Sequence, residues 1–495
     1  MAFWIGVDSG GTFIKAGVYD EKGVERAIAR HNVYVVSRNP GWAERDMDQL
    51  YVDACQVVKD ALSRAKIPPS EIKGLAISAQ GKGLYAIGAD MKPAYPGVLS
   101  SDQRSLDVVR AWERDGVHRE VYKTSLHTIW TGHPVSILRW IKENEPDVYK
   151  RIRYFMMSHD YLRFRMTGRL GCEITNISES DLYNMKEARY DQRLADLLGI
   201  SEAIGWLPPT VGAAEITGGI DAATARATGL PEGVPVAGGL FDVMSTALCA
   251  GIVDDSRLNA VMGTWSIITG ITRELGRGDE FPRTYGVHAE KGYYQTHEGS
   301  PTSAGNLDWF APYLSEGGKF DLAGLEREVA SVPKASTDIQ FLPFLYGSNA
   351  GLGMKSGLYG LQALHEPRHI AQAIYEGVIF CHNMHLVPML KYFPRTEALR
   401  VTGGPTKSDV WMRMLADVSG LPVEIPEIEE TGCVGSAMAA AVGTGAFPDF
   451  RSAIDAFNPP LRTVEPDKSS HEAYQAKYGR YVDLIKALRA YEGID

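Results

Sequence analysis

The sequence predicts an α/β protein of two related domains, and three observations carry that prediction. The chain has 495 residues, more than a single hydrophobic core serves well. Residues 4–15, Trp-Ile-Gly-Val-Asp-Ser-Gly-Gly-Thr-Phe-Ile-Lys, run apolar, turn on two glycines and run apolar again. A similar pattern returns near mid-chain at residues 259–270, Asn-Ala-Val-Met-Gly-Thr-Trp-Ser-Ile-Ile-Thr-Gly. Each reads as strand, tight turn, strand.

The remaining elements alternate in the same style. Strand signals fall at 3–8, 13–19, 31–36, 73–79 and 84–88. Leu50, Val52, Ala54, Val57, Val58, Ala61 and Leu62 recur at helical spacing and predict a helix over 48–65. Further helices are expected at 104–115, 134–144 and 186–198, and a short buried strand at 233–237 leads into Gly238-Gly239. The second half offers strands at 258–263, 265–272, 339–342 and 399–402. Its helices are expected at 368–391, 408–418 and 433–443; the first carries Ile370, Ala373, Ile374, Gly377 and Cys381 on one period. The boundary is expected between residues 246 and 247. No proline-, serine- or charge-rich linker marks it, which predicts an extensive interface around a cleft.

Composition narrows the function. Apolar residues make up 44% and charged residues 23%, as in ordinary soluble globular proteins. A net charge of −10 speaks against a nucleic-acid partner, because no large basic surface is available for phosphates. No segment has the roughly 18 apolar residues of a membrane span. A strand begins by residue 4, so no leader peptide is expected, and the expected compartment is the cytoplasm. The five cysteines are odd in number, far apart and in no metal-binding spacing, which reads as buried reduced thiols. His382 and His385 stand three apart on an expected helix without an acidic or cysteine partner nearby, and read as structural.

The chemistry suggested is phosphoryl transfer. Gly10 and Gly11 allow close backbone approach to an anion, Thr12 adds a hydroxyl, and Asp8 supplies a carboxylate for magnesium. No Walker-type Gly-x-x-x-x-Gly-Lys-Ser/Thr is present. A kinase acting on an alcohol also needs a base near the attacking hydroxyl. Asp242 is the candidate. It follows Gly238-Gly-Leu-Phe and precedes a run of small and apolar residues, which sets it at or near a helix N-terminus. A plain helix N-cap is the alternative reading. The helix dipole is expected to keep this carboxylate ionised.

The two glycine loops resemble those of the sugar kinase, heat-shock chaperone and actin superfamily, whose members bind ATP between two ribonuclease H-like domains. The whole chain resembles the FGGY family of carbohydrate kinases. Ser356-Gly-Leu-Tyr-Gly360-Leu361, seven residues, then His369-Ile-Ala-Gln-Ala-Ile-Tyr-Glu376 matches the C-terminal family signature. Gly132-His-Pro-Val-Ser-Ile-Leu-Arg-Trp-Ile-Lys-Glu-Asn144 matches the N-terminal one, with Ile137 where lysine is usual. The resemblance implies a domain for sugar and phosphate over residues 1–246 and a nucleotide domain over 247–495. It implies ATP and Mg2+ as cofactors, Asp242 as catalytic base and Asp8 as the magnesium-organising carboxylate. Gly10, Gly11, Thr12 and Lys15 would form the first phosphate loop, and Gly263 and Thr264 the second. Ala304, Gly305, Gly403, Gly404 and Ser408 would serve the nucleotide. The implied partners are a small-molecule sugar and ATP, with a homodimer allowed and neither nucleic acid nor membrane expected.

Three segments are implied as the sugar pocket. Gln80-Gly81-Lys82 ends the sugar-facing strand. Lys82 suits a sugar hydroxyl or ketone, and equally a solvated turn. Asp102, in Ser100-Ser-Asp-Gln-Arg104, could take two adjacent hydroxyls or pair with Arg104. Ser100 stands where relatives carry an aromatic residue. Trp130 suits the apolar face of a sugar and His133 a hydroxyl, although both also suit a core. Within the family, the blocks at 41–47, 78–83, 131–136, 176–180, 238–243 and 344–350 resemble members that phosphorylate L-xylulose. That substrate is therefore expected, with D-xylulose, L-ribulose, erythritol or another polyol, and 3-keto-L-gulonate as alternatives. Glu44, Arg45 and Asp46 read as a surface or interdomain charge cluster without chemistry. The remote non-enzymatic alternative is a sugar-sensing protein built on the same fold.

Overall fold

The computed structural model describes residues 2–263, 265–276, 283–313, 321–348, 350–351 and 353–494. The chain forms two compact units. The first comprises Met1–Val253, Ile271–Thr296 and Ile428–Asn458; the second comprises Asp254–Gly270, His297–Glu427 and Pro459–Asp495. The chain thus leaves the first unit after residue 253 and returns to it twice, whereas the sequence reading draws one boundary at 246/247.

The first unit is built on a mixed sheet. Its strands lie in the order Ile216–Gly219, Pro235–Ala237, Ile72–Ala79, Phe3–Ser9, Phe13–Asp20 and Glu25–Asn32, and Leu240–Phe241 also pairs with Ile72–Ala79. Phe3–Ser9 and Phe13–Asp20 are antiparallel, with Asp8 opposite Lys15. Phe3–Ser9 and Ile72–Ala79 are parallel, with Asp8 opposite Ser78. Strands buried on both faces need continuous apolar runs, and Trp4, Ile5, Val7, Leu75 and Ile77 supply them.

Two helices matter most for this sheet. Met47–Ala65 starts at Asp46, whose carboxylate accepts from the amides of Asp48 and Gln49. It buries Leu50, Ala54, Val57, Val58, Ala61 and Leu62, while Val52 turns outward. Thr431–Gly443 lies on the first strand so closely that a Cβ at Gly6 would come within 1.8 Å of the Cys433 carbonyl oxygen. Ser436 Oγ donates to the Val7 carbonyl at 3.1 Å, and Trp4 Nε1 donates to Thr444 Oγ1 at 2.8 Å.

The second unit repeats the plan. Ser266–Thr272 is antiparallel to Arg257–Met262, which runs parallel to Ala398–Thr402. Ala398–Thr402 is parallel to Val423–Pro426, which is antiparallel to Leu461–Val464. The helices Pro367–Tyr392, Asp409–Ser419 and Lys468–Glu492 supply buried residues to the core beside it, among them Ile374, Phe380, Leu415, Tyr474 and Tyr481. Glu376, inside the C-terminal signature, pairs with the buried Lys477. His382 and His385 hydrogen-bond the hydroxyls of Ser303 and Ser300 at 2.9 and 2.7 Å. All five cysteines are buried and free.

Two expected elements differ. The strand expected at 31–36 is Glu25–Asn32 instead. Its partner begins at Phe13, which pairs with Asn32, so this ladder ends there; Tyr34, Val35 and Val36 are exposed, and Val36 forms only an isolated antiparallel bridge with Glu44. The helix expected at 186–198 is confined to Gln192–Leu197. Before it, Tyr183–Asn184 and Arg189–Tyr190 pair as a small hairpin, and Asp191 caps the helix through the Arg193 amide.

Candidate active site

The first glycine loop is a tight reversal between the two leading strands, closed by the Gly10 amide donating to the Phe13 carbonyl at 2.9 Å. Gly11 and Thr12 are exposed at its tip. From behind, Arg45 Nη2 donates to the carbonyls of Gly10 and Gly11 at 3.2 Å each. Arg45 and Glu44 are both only 2% exposed, which corrects their reading as a surface cluster. Asp46 is the helix cap.

Asp8 sits at the end of the first strand. Its carboxylate accepts from Ser78 Oγ at 3.0 Å, and Lys15 Nζ lies 3.8 Å away. Burial raises its pKa, with Lys15 and Ser78 opposing. A Cβ at Gly432 would stand 2.5 Å from the Asp8 Cγ, so only glycine lets the start of helix Thr431–Gly443 approach this carboxylate. Lys15, expected at a phosphate, is 2.7 Å from Glu430, which also pairs with Arg30.

Asp242 follows Leu240–Phe241, whose residues pair with Ser78 and Ala79 at the end of Ile72–Ala79. Phe241 occupies the cap position and Asp242 is the first residue of the helix Asp242–Cys249. Asp242 is therefore not the cap. Burial, then the charge of Asp8, pushes its pKa up to about 7. This corrects the expectation that the helix dipole keeps it ionised. An eight-residue helix contributes only about 0.3–1 kcal/mol to an anion at its N-terminus, less than the desolvation acting here.

Beyond the same strand end lie Gln80, Gly81 and Lys82. The buried Gln80 Nε2 has no hydrogen-bond partner among the described residues. A Cβ at Gly81 would fall 2.2 Å from the Phe241 ring. Lys82 adopts a left-handed φ of 62°, and its amide donates to Asn176 Oδ1 at 3.0 Å. Its ammonium lies 4.3 Å from the centroid of the Phe241 ring and pairs with Glu179. Glu179 is fully buried, accepts from Gln295 Nε2 at 2.6 Å and lies 3.2 Å from His127 Nε2.

Two imidazoles extend this cluster. His133 Nδ1 lies 2.6 Å from Asp181 Oδ2, and the His127 and His133 rings are 5.0 Å apart. Burial lowers the His133 pKa to about 4, so the ring is neutral and donates from Nδ1 to Asp181, leaving the Nε2 lone pair as acceptor. Burial opposes the charge on His127 too, but hydrogen bonds to Asp181 and Glu179 raise its pKa overall. The structure thus brings Lys82 and His133 into one cluster with His127, Glu179 and Asp181. The last three were not singled out from the sequence. The signal present was the polar run Asn176-Ile-Ser-Glu-Ser-Asp181, which is buried throughout. Trp130 is half-buried, and its carbonyl accepts from the Ser136 hydroxyl and the His133 amide.

Asp102 forms the Arg104 pair. Oδ1 accepts from the Arg104 amide and Nε, and Oδ2 from Arg104 Nη2 and the Ala43 amide. Both oxygens are fully used and the side chain is buried, which leaves nothing to offer a sugar.

In the second unit, Gly263 opens the second loop with its amide on the Trp265 carbonyl at 3.1 Å; Thr264 lies outside the described residues. Ala304 and Gly305 begin the helix Gly305–Phe310. Gly403 has φ 109°, and a Cβ there would meet the Met262 carbonyl oxygen at 2.0 Å, whereas one at Gly404 would meet open space. Ser408 caps Asp409–Ser419 by accepting from the Trp411 amide at 3.2 Å.

Comparison with known proteins shows the family and the fold. Residues 3–249 match the N-terminal domain of the FGGY family of carbohydrate kinases, and residues 258–444 match its C-terminal domain. The chain is 52% identical over 489 residues to the L-xylulose/3-keto-L-gulonate kinase of Escherichia coli (strain K12), covering 99% of this chain and 98% of that one. It is 49% identical to a probable L-xylulose kinase of Pasteurella multocida (strain Pm70), covering 99% and 100%. The crystal structure of ligand-bound xylulose kinase from Lactobacillus acidophilus superposes with a TM-score of 0.92 at 21% identity, covering 100% of this chain and 99% of that one, a likeness of fold. Among the described residues no helix is long and apolar enough to cross a membrane.

Proposed function

We propose that this chain, which belongs to the FGGY family of carbohydrate kinases and so uses ATP to phosphorylate a sugar, acts on a ketopentose, with L-xylulose as best substrate. Phosphate would go to the terminal 5-hydroxyl, giving L-xylulose 5-phosphate. The observation that carries this reading is the buried set Lys82–Glu179–His127 with His133–Asp181, electrostatically coupled to Asp242 through Lys82. The names of the two relatives at 52% and 49% identity support the choice of sugar.

In this mechanism Asp242 accepts the proton of the attacking hydroxyl as it bonds to the γ-phosphorus, and ADP leaves with the electrons of the broken P–O bond. Gln80, Lys82, His133 and the face of Trp130 orient the sugar. Gly10, Gly11, Thr12 and Lys15 hold phosphates, with Gly263, Thr264, Ala304, Gly305, Gly403, Gly404 and Ser408 serving the nucleotide. Residues 1–246 carry the sugar and phosphate functions and 247–495 the nucleotide functions. Asp8 fits a magnesium ion, because it is a partly exposed carboxylate whose pKa desolvation raises in spite of Lys15, so a cation beside it adds the positive charge it lacks. Bound there, Mg2+ supplies neutralisation of charge on the triphosphate. The reading implies a cytoplasmic enzyme and allows a homodimer.

A second substrate, 3-keto-L-gulonate, is kept as the alternative. The name of the Escherichia coli relative includes that compound. A coupled ADP-release assay tests both. L-Xylulose should exceed D-xylulose in kcat/KM by more than about tenfold, a difference of roughly 1.4 kcal/mol. Equal or faster turnover of D-xylulose, glycerol or erythritol overturns the substrate assignment.

A further inference from the structure

We propose that Thr175 is a positioning residue for Asp242, the last link of a buried hydrogen-bonded relay from Arg163 through Asp160 and Glu173. The proposal rests on Asp242 acting as acceptor base.

Proton count fixes the direction of the final link. The Phe241 amide and Thr175 Oγ1 are 3.0 Å apart, and Thr175 Oγ1 and Glu173 Oε2 are 2.7 Å apart. The hydroxyl has one proton, and the carboxylate can only accept. Thr175 therefore donates to Glu173 and turns a lone pair to the Phe241 N–H, the amide directly before Asp242. Glu173 is itself pinned, because its Oε1 accepts the Thr175 amide at 2.8 Å.

The relay continues inward. The Glu173 amide donates to Asp160 Oδ1 at 2.8 Å, and Asp160 Oδ1 pairs with Arg163 Nη1 at 2.9 Å. Arg163 Nη2 donates to the Gly171 carbonyl at 2.6 Å, and Nη1 donates to the Gly238 carbonyl. Asp160, Arg163, Glu173 and Thr175 are at most 1% exposed. One buried assembly thus grips the segment 238–241 at both ends, Gly238 through its carbonyl and Phe241 through its amide. Asp242 is the next residue. A carboxylate misplaced by about 1 Å can lose on the order of a hundredfold in rate, so such a clamp bears on turnover as well as on folding.

The test compares Thr175→Val, which keeps the shape and removes the hydroxyl, with Thr175→Ser, which keeps the hydroxyl. Asp242→Asn is measured beside them in full-length enzyme. The readouts are kcat, sugar KM and melting temperature. Thr175→Val should lower kcat by about tenfold or more with sugar KM within about threefold of wild type, and Thr175→Ser should stay within about threefold in kcat. Wild-type kcat in Thr175→Val overturns the proposal. So does an equal loss in Thr175→Ser, which would assign the effect to packing. Should Thr175→Val not fold, Glu173→Gln serves: its amide competes with Phe241 for the Thr175 oxygen, and kcat should fall at near-constant KM, whereas unchanged kcat overturns the relay. If Asp242→Asn keeps its kcat, the acceptor reading itself fails. If only Asp242→Asn loses activity, the relay alone fails.

Discussion

Two buried charge clusters stand in the first unit, and they differ in how fully their polar atoms are used. Around Arg104 every guanidinium nitrogen and both Asp102 oxygens are hydrogen-bonded, and Glu44 Oε2, which accepts no hydrogen bond among the described residues, is ion-paired with Arg38 Nε at 3.2 Å. The Arg104 guanidinium serves Asp102, Tyr95 and Glu44, and it lies 4.0 Å from the Trp42 ring centroid and 5.4 Å from that of Trp140. Around Lys82 the accounts stay open: Gln80 Nε2 and Asn176 Nδ2 are buried without a hydrogen-bond partner among the described residues. Unsatisfied buried donors cost free energy, so a fold keeps them where a ligand completes them. The closed cluster reads as framework and the open one as a binding site.

The sharpest way to break this contrast is at Asp242, the proposed base beside the open cluster. Asp242→Asn should lower kcat by about 10²–10⁴-fold with the fold intact, measured by coupled assay and circular dichroism. Near-normal kcat would remove Asp242 from the chemistry. Arg104→Met should instead act on stability, because it strands the buried carboxylates of Asp102 and Glu44. A loss of about 3–5 kcal/mol by urea unfolding is expected. A loss below about 1 kcal/mol would mean that the closed cluster is not framework.

The raised pKa of Asp242 gives a third test. Its base form predominates only above about 7, so kcat/KM should fall about tenfold per pH unit below that value. Stability carries the opposite sign. A carboxylate whose folded pKa is raised favours its protonated form, so the folded state loses stability as pH rises from about 4 to about 7. Asp242→Asn should therefore be more stable than wild type at pH 8, by at most about 4 kcal/mol, with the difference fading by pH 4. Equal melting temperatures at pH 8 would contradict the shift. The smallest effect is expected at Gln80. Gln80→Leu should lower sugar kcat/KM by roughly tenfold and change stability by less than about 1 kcal/mol, since Nε2 has no hydrogen-bond partner among the described residues.

Local signals carried much of this picture. The glycine turns, the 48–65 helix, the strand before Gly238 and the N-terminal site of Asp242 depend on spacing within a few residues, and they were legible. Burial is not a local property. Arg45 and Glu44 look like surface charges in Trp-Ala-Glu-Arg-Asp, and only the folded chain brings them beneath the loop and beside Arg104. Glu179 and Asp181 belong to a polar stretch whose partners, Lys82 and His133, lie 97 and 48 residues away. The strand misplaced at 31–36 failed for a related reason: an apolar run becomes a strand only where a neighbour extends far enough to pair with it.

The helix Thr431–Gly443 has a consequence for how the chain is made. It completes the surface of a sheet whose first strand left the ribosome more than four hundred residues earlier. Until translation is almost finished, Gly6 and Val7 wait without the backbone that covers them. The nascent first unit must therefore persist as an incomplete intermediate through most of synthesis, exposed to chaperones and proteases for as long as its last helix is missing. Chains truncated before residue 431 should accumulate in that state rather than as an independently folded amino-terminal half.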